Sequence, residues 1–152
     1  MRVVLQRSKN SKVTINNKVN GSIDHGYVLL VGFTDGDNET IIDRMIKKII
    51  NLRVFEDENE KMNLSILDTK GSILSISQFT LYADATKGNR PSFINAMNPE
   101  EATKLYDLFN KKLREFVHVE TGIFGADMKV EIYNEGPVTI ILDSDILFKK
   151  EL

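Results

Sequence analysis

Apolar positions in the first third of the chain repeat with the spacing of β-strands and then with the spacing of a helix. Residues 2–8 alternate imperfectly and are rich in β-branched residues, and residues 12–16 place Val13 and Ile15 on one face. Residues 26–33 form an unbroken apolar run, the pattern of a strand covered on both faces. Residues 35–53 place apolar side chains at helical spacing, with Asp37 as the predicted cap. The pattern predicts a meander of short strands followed by an amphipathic helix.

The second half of the chain predicts another strand, a second amphipathic helix and two final strands. Residues 72–82 are predicted to form one long strand, and Asn98 followed by Pro99 and two glutamates is typical of a helix start. Strand patterns return in residues 128–133 and 134–143. The predicted buried stripe of the second helix consists of Ala102, Leu105, Phe109, Leu113 and Phe116. Roughly seven strands and two or three helices with short connections predict an α+β fold with a curved, barrel-like, largely antiparallel sheet.

Length and composition are those of one globular domain. A chain of 152 residues with 41% apolar and 28% charged residues can bury a single core, so residues 1–152 are predicted to form one domain. Apolar runs are far shorter than the ~18 residues of a membrane span, and the N-terminal stretch lacks the features of a targeting segment. We therefore expect a cytoplasmic protein without a membrane partner.

Charge and cysteine content exclude further classes. Twenty basic residues against 22 acidic ones give a formal net charge of −2, so we expect no DNA partner and only a local contact with any other nucleic acid. The absence of cysteine excludes disulfides, thiolate metal sites and a cysteine nucleophile.

The chain offers no obvious general base. Its two histidines, His25 and His118, lie outside the spacing of a metal site or a catalytic triad, and we interpret them as a turn residue and a helix-end residue. Glycine-rich stretches lack the lysine of a phosphate loop and the glycine triplet of a dinucleotide site. No metal or cofactor is expected.

Two hydroxyl groups, those of Ser77 and Thr80, flank Gln78 and Phe79 in the sequence SQFTLY at 77–82. One interpretation is that these residues merely finish a strand. The other is that small polar residues at a strand end leave backbone N–H groups free, and two such donors can bind an oxyanion. The residues alone leave both interpretations open.

The sequence NEGPVT at 134–139 also has two interpretations. Because only ~5–6% of X-Pro bonds in folded proteins are cis, Pro137 is first interpreted as a proline at a strand entrance. Alternatively, Gly136 permits the close approach of another backbone, and a cis bond would aim the carbonyl groups of Gly136 and Pro137 in nearly the same direction.

Four stretches together resemble the D-aminoacyl-tRNA deacylases. They occur in that family's order and read SQFTLYAD at 77–84, KGNRPSF at 87–93, GIFGADM at 122–128 and NEGPVT at 134–139. The start MRVVLQRS and the strand GYVLLVGF fit as well, so the resemblance covers essentially the whole chain without a departure at the motif positions.

The resemblance implies a cytoplasmic homodimer that proofreads translation by hydrolysing the ester between a D-amino acid and the 3′ end of tRNA. It also implies removal of glycine from alanine tRNA. The catalytic stretch would be Ser77, Gln78, Phe79 and Thr80, with backbone donors and RNA-assisted catalysis through the ribose 2′-OH. Gly136 and Pro137, joined by a cis bond, would reach into the partner subunit's site and exclude L-amino acids.

Other hypotheses remain beside this one. Lys87 and Arg90, in the polar loop after the catalytic stretch, are hypothetical phosphate contacts, and a solvated loop is the alternative. A serine or threonine esterase would use Ser77 or Thr80 as an acylated nucleophile. A non-catalytic module that binds the end of tRNA, similar to the editing domain of archaeal threonyl-tRNA synthetases, is a third possibility.

Overall fold

Two long N-terminal strands form the centre of the sheet in this computed structural model, which describes residues 1–148. Strand β1 (Arg2–Ile15) pairs antiparallel with β2 (Lys18–Gly32) along nearly its whole length. Asn16 and Asn17 connect them with φ angles of 49° and 63°, the left-handed turn conformation that asparagine tolerates and that suits a tight hairpin. The predicted meander of short strands is therefore wrong. Polar residues interrupt the apolar pattern along the chain, but they do not interrupt the hydrogen-bonded pairing of β1 with β2.

The other elements complete one mixed sheet and a helical layer. They are α1 (Glu39–Asn51), β3 (Phe55–Glu56), β4 (Met62–Leu64), α2 (Ile66–Thr69), β5 (Ser72–Ser77), a 3₁₀ helix (Phe79–Tyr82), α3 (Pro99–Leu113), β6 (His118–Thr121), β7 (Lys129–Glu131), β8 (Asn134–Asp143) and α4 (Ser144–Leu147). The main sheet has the order β6-β5-β2-β1-β7, and β8 also pairs with β1. Strands β7 and β8 pair antiparallel with β1, whereas β5 lies parallel to both β2 and β6. The predicted α+β class is confirmed, with parallel pairing at the β5–β6 side of the sheet.

Helix α1 forms where its apolar spacing predicts, but its cap is Asn38 and not Asp37. The Asn38 side chain accepts a hydrogen bond from the Ile41 N–H at 3.0 Å. Asp37 instead accepts from the Met1 ammonium group and from the Thr34 N–H, both at 2.8 Å. A long-range ion pair therefore takes the carboxylate that the local pattern assigned to the helix.

Helix α3 begins as predicted, with Asn98 as cap and Pro99 in the first turn. Ala102, Phe109 and Leu113 of the predicted stripe are buried, and Leu105 packs against the core. The prediction that Phe116 is buried in that stripe is wrong, because the helix ends at Leu113 and Phe116 is 51% exposed.

The main core lies between one face of the sheet and helices α1 and α3. A smaller apolar cluster covers the other face and contains Val13, Ile23, Val28, Leu74 and Ile76. Strands β2 and β5 are thus covered on both sides, which explains the unbroken apolar run in β2. Across residues 1–148 we find no helix with the length and apolar character needed to cross a bilayer. The last four residues of the predicted domain 1–152 lie outside the described residues.

Candidate active site

The predicted strand over 72–82 is wrong beyond Ser77. The Gln78 N–H donates to the Val31 carbonyl at 2.7 Å, and the backbone then turns into the 3₁₀ helix. Strand β2 ends beside this turn at Gly32, where an added Cβ would lie 2.9 Å from the Gln78 carbonyl oxygen. The two strands therefore end together, and the SQFTLY motif is a strand end followed by a tight helical turn.

This turn lies at the edge where three parallel strands end. Ser77 of β5 pairs with Val31 near the end of β2, and Ser75 pairs with Thr121 at the end of β6. The segment 122–128, one of the motifs of the sequence, follows directly from β6 at this edge. The carboxyl edge of parallel strands is the usual location of a ligand site in such sheets.

Both histidines lie at the opposite edge of the sheet. His118 pairs with Ser72 at the start of β5, and His25 precedes Gly26, the other partner of Ser72. Ser72 and Ser77 are five positions apart, a distance of about 17 Å along an extended strand. Neither histidine can therefore take a proton from Ser77 or Thr80.

The hydroxyl group of Thr80 has a neutral partner. The Gln78 side-chain amide donates to Thr80 Oγ1, and within the described residues no carboxylate or imidazole forms a hydrogen bond with the hydroxyl groups of Ser77 or Thr80. A hydroxyl nucleophile needs an adjacent base or a lowered pKa. Among residues 1–148 the local geometry supplies no such base, and the hydrogen bond between Gln78 and Thr80 stabilises the turn.

Two backbone N–H groups at the turn are free. Phe79 and Thr80 occupy the first turn of the 3₁₀ helix, where a helix has no acceptor for its own N–H groups, and the first internal bond is from the Leu81 N–H to the Gln78 carbonyl. Among residues 1–148 we find no other acceptor for the N–H groups of Phe79 and Thr80. Two adjacent donors at an open edge can stabilise a developing oxyanion.

An exposed aromatic pair borders these donors. The rings of Phe79 and Phe93 meet edge to face, with centroids 5.1 Å apart, although the side chains are 52% and 41% exposed. Phe93 belongs to the loop 85–95, which is exposed throughout and contains Lys87 and Arg90. Phe93 is not among the predicted site residues. The sequence feature that could have indicated it is its position as an aromatic residue in an otherwise polar loop. Such a pair can stack on a nucleic-acid base.

Arg2 holds the end of the 3₁₀ helix in place. Its Nη1 donates to the Leu81 carbonyl at 3.0 Å, its Nε donates to Asp143, and its guanidinium lies 4.5 Å from the ring centroid of Tyr82. Burial of Tyr82 raises the pKa of its hydroxyl well above the usual value, so the phenol stays neutral. Sequence reasoning missed Arg2 because its partners are distant in the chain.

The Gly136–Pro137 bond is cis, and both residues are exposed. They form a bulge of β8 opposite Arg7, whose side chain is only 8% exposed. The Arg7 Nε donates to the Glu135 carbonyl at 3.1 Å, and its Nη1 donates to the Val54 carbonyl at 2.9 Å. A buried guanidinium therefore holds the segment that carries Gly136 and Pro137.

The structure does not bring Gly136 and Pro137 to the turn at 77–80 within one chain. Arg7, opposite the bulge, pairs with Tyr27, which pairs with Ile73. The two motifs are therefore separated by about 13 Å along the strands and about 14 Å across three strand spacings. In a single copy they are parts of two different surfaces.

The chain is similar to a family of known proteins and to solved structures. A family model described as D-Tyr-tRNA(Tyr) deacylase matches residues 4–143. A solved structure titled c-Myc DNA Unwinding Element Binding Protein is similar with 40% identity and a TM-score of 0.89, covering 94% of this chain and 98% of that one. Another, titled as a probable eukaryotic D-amino acid tRNA deacylase, shares the fold with 18% identity and a TM-score of 0.79, covering 93% and 97%. The chain belongs to the D-Tyr-tRNA(Tyr) deacylase family, whose members are hydrolases of ester bonds that act on D-aminoacyl-tRNA.

Proposed function

We propose that this protein hydrolyses D-aminoacyl-tRNA without a protein nucleophile or base, and that the ribose 2′-OH of the tRNA assists the reaction. The observation that carries the proposal is the pair of free N–H groups at Phe79 and Thr80, at an edge that no histidine reaches. Binding and orientation of the ester, together with oxyanion stabilisation, can supply most of the rate enhancement.

The proposed reaction needs only water and the substrate. Water attacks the ester carbonyl carbon, and the negative charge that develops on the carbonyl oxygen is stabilised by the N–H groups of Phe79 and Thr80. The bond to the ribose O3′ then breaks, and the proton released by the attacking water passes to O3′ as the free amino acid leaves. The neighbouring 2′-OH, held beside the ester, orients the water or shares the developing charge.

We further propose that Gly136 and Pro137 of a second copy complete the site and act as a chirality filter. The separation of the two motifs within one chain supports a homodimer, because one copy cannot place both around the same ester. Rigid carbonyl groups that occupy the space of an L side chain reject L-amino acids and ignore the identity of the D side chain. Glycine has no side chain to reject, so glycine on alanine tRNA is also a proposed substrate.

The decisive experiment compares D-tyrosyl-tRNA with L-tyrosyl-tRNA as substrates of the purified protein. We expect a preference for the D substrate of at least about 30-fold in kcat/KM, equivalent to ~2 kcal/mol. Glycyl-tRNA(Ala) is the matched control, since a filter based on exclusion predicts that it is hydrolysed. Equal rates on both enantiomers, or no hydrolysis of either, would refute the proposal.

The two alternative functions make different predictions. An esterase that uses Ser77 or Thr80 would form a covalent acyl-enzyme, visible by mass spectrometry after acid quenching, whereas we expect none. A non-catalytic module would bind the tRNA end without turnover. The lack of a base beside either hydroxyl favours the RNA-assisted reaction.

Lys87 and Arg90 are proposed as phosphate contacts near the acceptor end. Replacing both by glutamine should raise KM about threefold to tenfold and lower its dependence on salt, because each lost phosphate contact reduces the salt slope by about one. The preference for D over L should not change. Steady-state kinetics at several salt concentrations test this assignment, which an unaltered KM would rule out.

Location and other partners belong to the same proposal. A cytoplasmic protein would meet its substrate where aminoacyl-tRNA is made and used. The relative with 40% identity is named for binding a DNA unwinding element, but the net charge of −2 here gives no general affinity for duplex backbone. We therefore propose tRNA and not DNA as the partner.

A further inference from the structure

A basic concavity lies along one face of helix α1, away from the turn at 77–80. Arg44, Lys47, Lys48 and Asn51 follow the spacing that places side chains on one helix face. Together with Leu52, Arg53 and Phe148 they line a cavity of about 790 Å³, which we call the α1 groove.

The positive charge of the α1 groove is unbalanced within the described part of the chain. No described carboxylate lies within 4.0 Å of its four cationic side chains. By contrast, Lys112 of α3 lies 2.8 Å from both Glu39 and Asp43, so these two carboxylates of α1 are already paired. Lys48 lies in the last turn, where it complements the helix dipole, an effect that falls off before Arg44 in the middle of the helix.

Two cations of the α1 groove are held in position by contacts that leave their charge in place: the Arg53 Nε donates to the Asn63 carbonyl at 3.0 Å, and Arg44 contacts an aromatic ring. The Arg44 guanidinium lies 4.4 Å from the ring centroid of Phe148, a cation–π contact that orients it without neutralising its charge. The groove is thus a concave, cationic surface on a chain whose net charge is negative. That combination fits a polyanion with spaced charges, namely the phosphodiester backbone of a nucleic acid.

The position of the α1 groove favours one nucleic acid as its ligand, the tRNA substrate. Arg53 directly precedes Val54, whose carbonyl accepts from Arg7, and Arg7 also binds the Glu135 carbonyl beside Gly136. The groove therefore borders the segment that we propose to enter the partner subunit's site. Helix α1 starts near the carboxyl edge of β2 and runs back for 13 residues, about 20 Å, so the lysine end of the groove lies far from the turn of its own chain.

We infer that the α1 groove binds the backbone of the tRNA whose 3′ end occupies the partner subunit's site. Each subunit would then supply the site for one tRNA and a phosphate contact for the other. This inference rests on the proposed function and on the proposed dimer, and it adds a substrate contact in trans.

The first experiment neutralises the groove with Lys47→Gln and Lys48→Gln together. For D-tyrosyl-tRNA we expect an unchanged kcat, a KM raised about fivefold or more at 0.15 M salt, and a salt slope reduced by about two. D-tyrosyl-adenosine, which has no backbone to contact, should be hydrolysed as by the unmodified protein. The matched control carries Lys104→Gln and Lys111→Gln on the exposed side of α3 and should show neither change in KM nor in slope.

The outcomes separate the two proposals. An unmodified protein that fails to hydrolyse D-tyrosyl-tRNA refutes the proposed function. A working enzyme whose KM is unaffected by the groove variant, or equally affected by the control, overturns the α1 groove inference alone. The α1 groove inference is also overturned if a DNA duplex competes for the groove as strongly as tRNA without an attached amino acid.

Heterodimers of differently tagged chains test the contact in trans. With the groove variant on one protomer and the inactivating Phe79→Pro on the other, the active site faces an intact groove, and KM should equal that of the unmodified dimer. With both changes on one protomer, the active site faces the neutralised groove, and KM should rise about fivefold. Equal KM values, or the reverse order, would exclude a contact in trans.

Discussion

Phe79→Pro is expected to lower kcat on D-tyrosyl-tRNA about 10²- to 10³-fold relative to Phe79→Ala. Both variants lose the aromatic ring, but only proline also removes the backbone N–H, so their ratio isolates one donor. Proline is well tolerated at the first position of a helix, which is where Phe79 lies. Removal of one oxyanion donor costs this much in other acyl-transfer enzymes. Single-turnover kinetics of the two variants give the ratio directly.

Two controls accompany this comparison. Circular dichroism and the melting temperature show whether Phe79→Pro preserves the fold. Thr80→Ala keeps its N–H and loses only the hydrogen bond from Gln78, so it should retain kcat within about fivefold, since most single deletions of an exposed neutral bond cost ~1 kcal/mol or less. Equal kcat values for Phe79→Pro and Phe79→Ala would argue against the backbone donors, and a loss of several orders of magnitude in Thr80→Ala would indicate a nucleophile.

A D-tyrosyl-tRNA that ends in 2′-deoxyadenosine should react at least about 10²-fold more slowly than the natural substrate. The 2′-OH is the group that the proposed reaction takes from the RNA, and a neighbouring group held beside the reacting centre has a high effective concentration. We expect the loss in kcat, because the protein contacts to the acceptor end are unchanged. Rapid-quench kinetics on the two substrates measure the effect.

Binding must be measured separately from chemistry in this experiment. Uncharged tRNA with either terminus should inhibit hydrolysis of the natural substrate with the same inhibition constant. If the 2′-deoxy substrate is turned over at the normal rate, the reaction is not RNA-assisted. If only its KM changes, the 2′-OH contributes to binding and not to catalysis.

The apolar pattern predicted the helices better than the strand ends. The stretch 72–82 continues to alternate through Phe79 and Leu81, so periodicity alone cannot show that the ladder stops at Gln78. The strand stops because its neighbour β2 ends at Gly32, which is a tertiary relation. Likewise Asp37 leaves the helix cap for an ammonium group 36 residues away, a contact that no local pattern contains.

The sequence motifs predict which residues belong to the candidate site, but they do not predict how these residues are arranged in space. SQFTLY and NEGPVT were singled out for their residue types, but only the register shows that they lie on different surfaces of one chain. Arg2 and Arg7, which hold the two segments, looked like ordinary strand residues. Their roles depend on carbonyl partners that the fold brings near from elsewhere in the chain.

The free N–H groups at Phe79 and Thr80 also bear on how such a site tolerates mutation. Every amino acid except proline supplies the same donor, so most substitutions at these two positions leave the donors in place. Selection would then act less on the residues that carry the donors than on those that shape the turn. Gly32 is one of these, because any side chain there would collide with the Gln78 carbonyl and displace both donors at once.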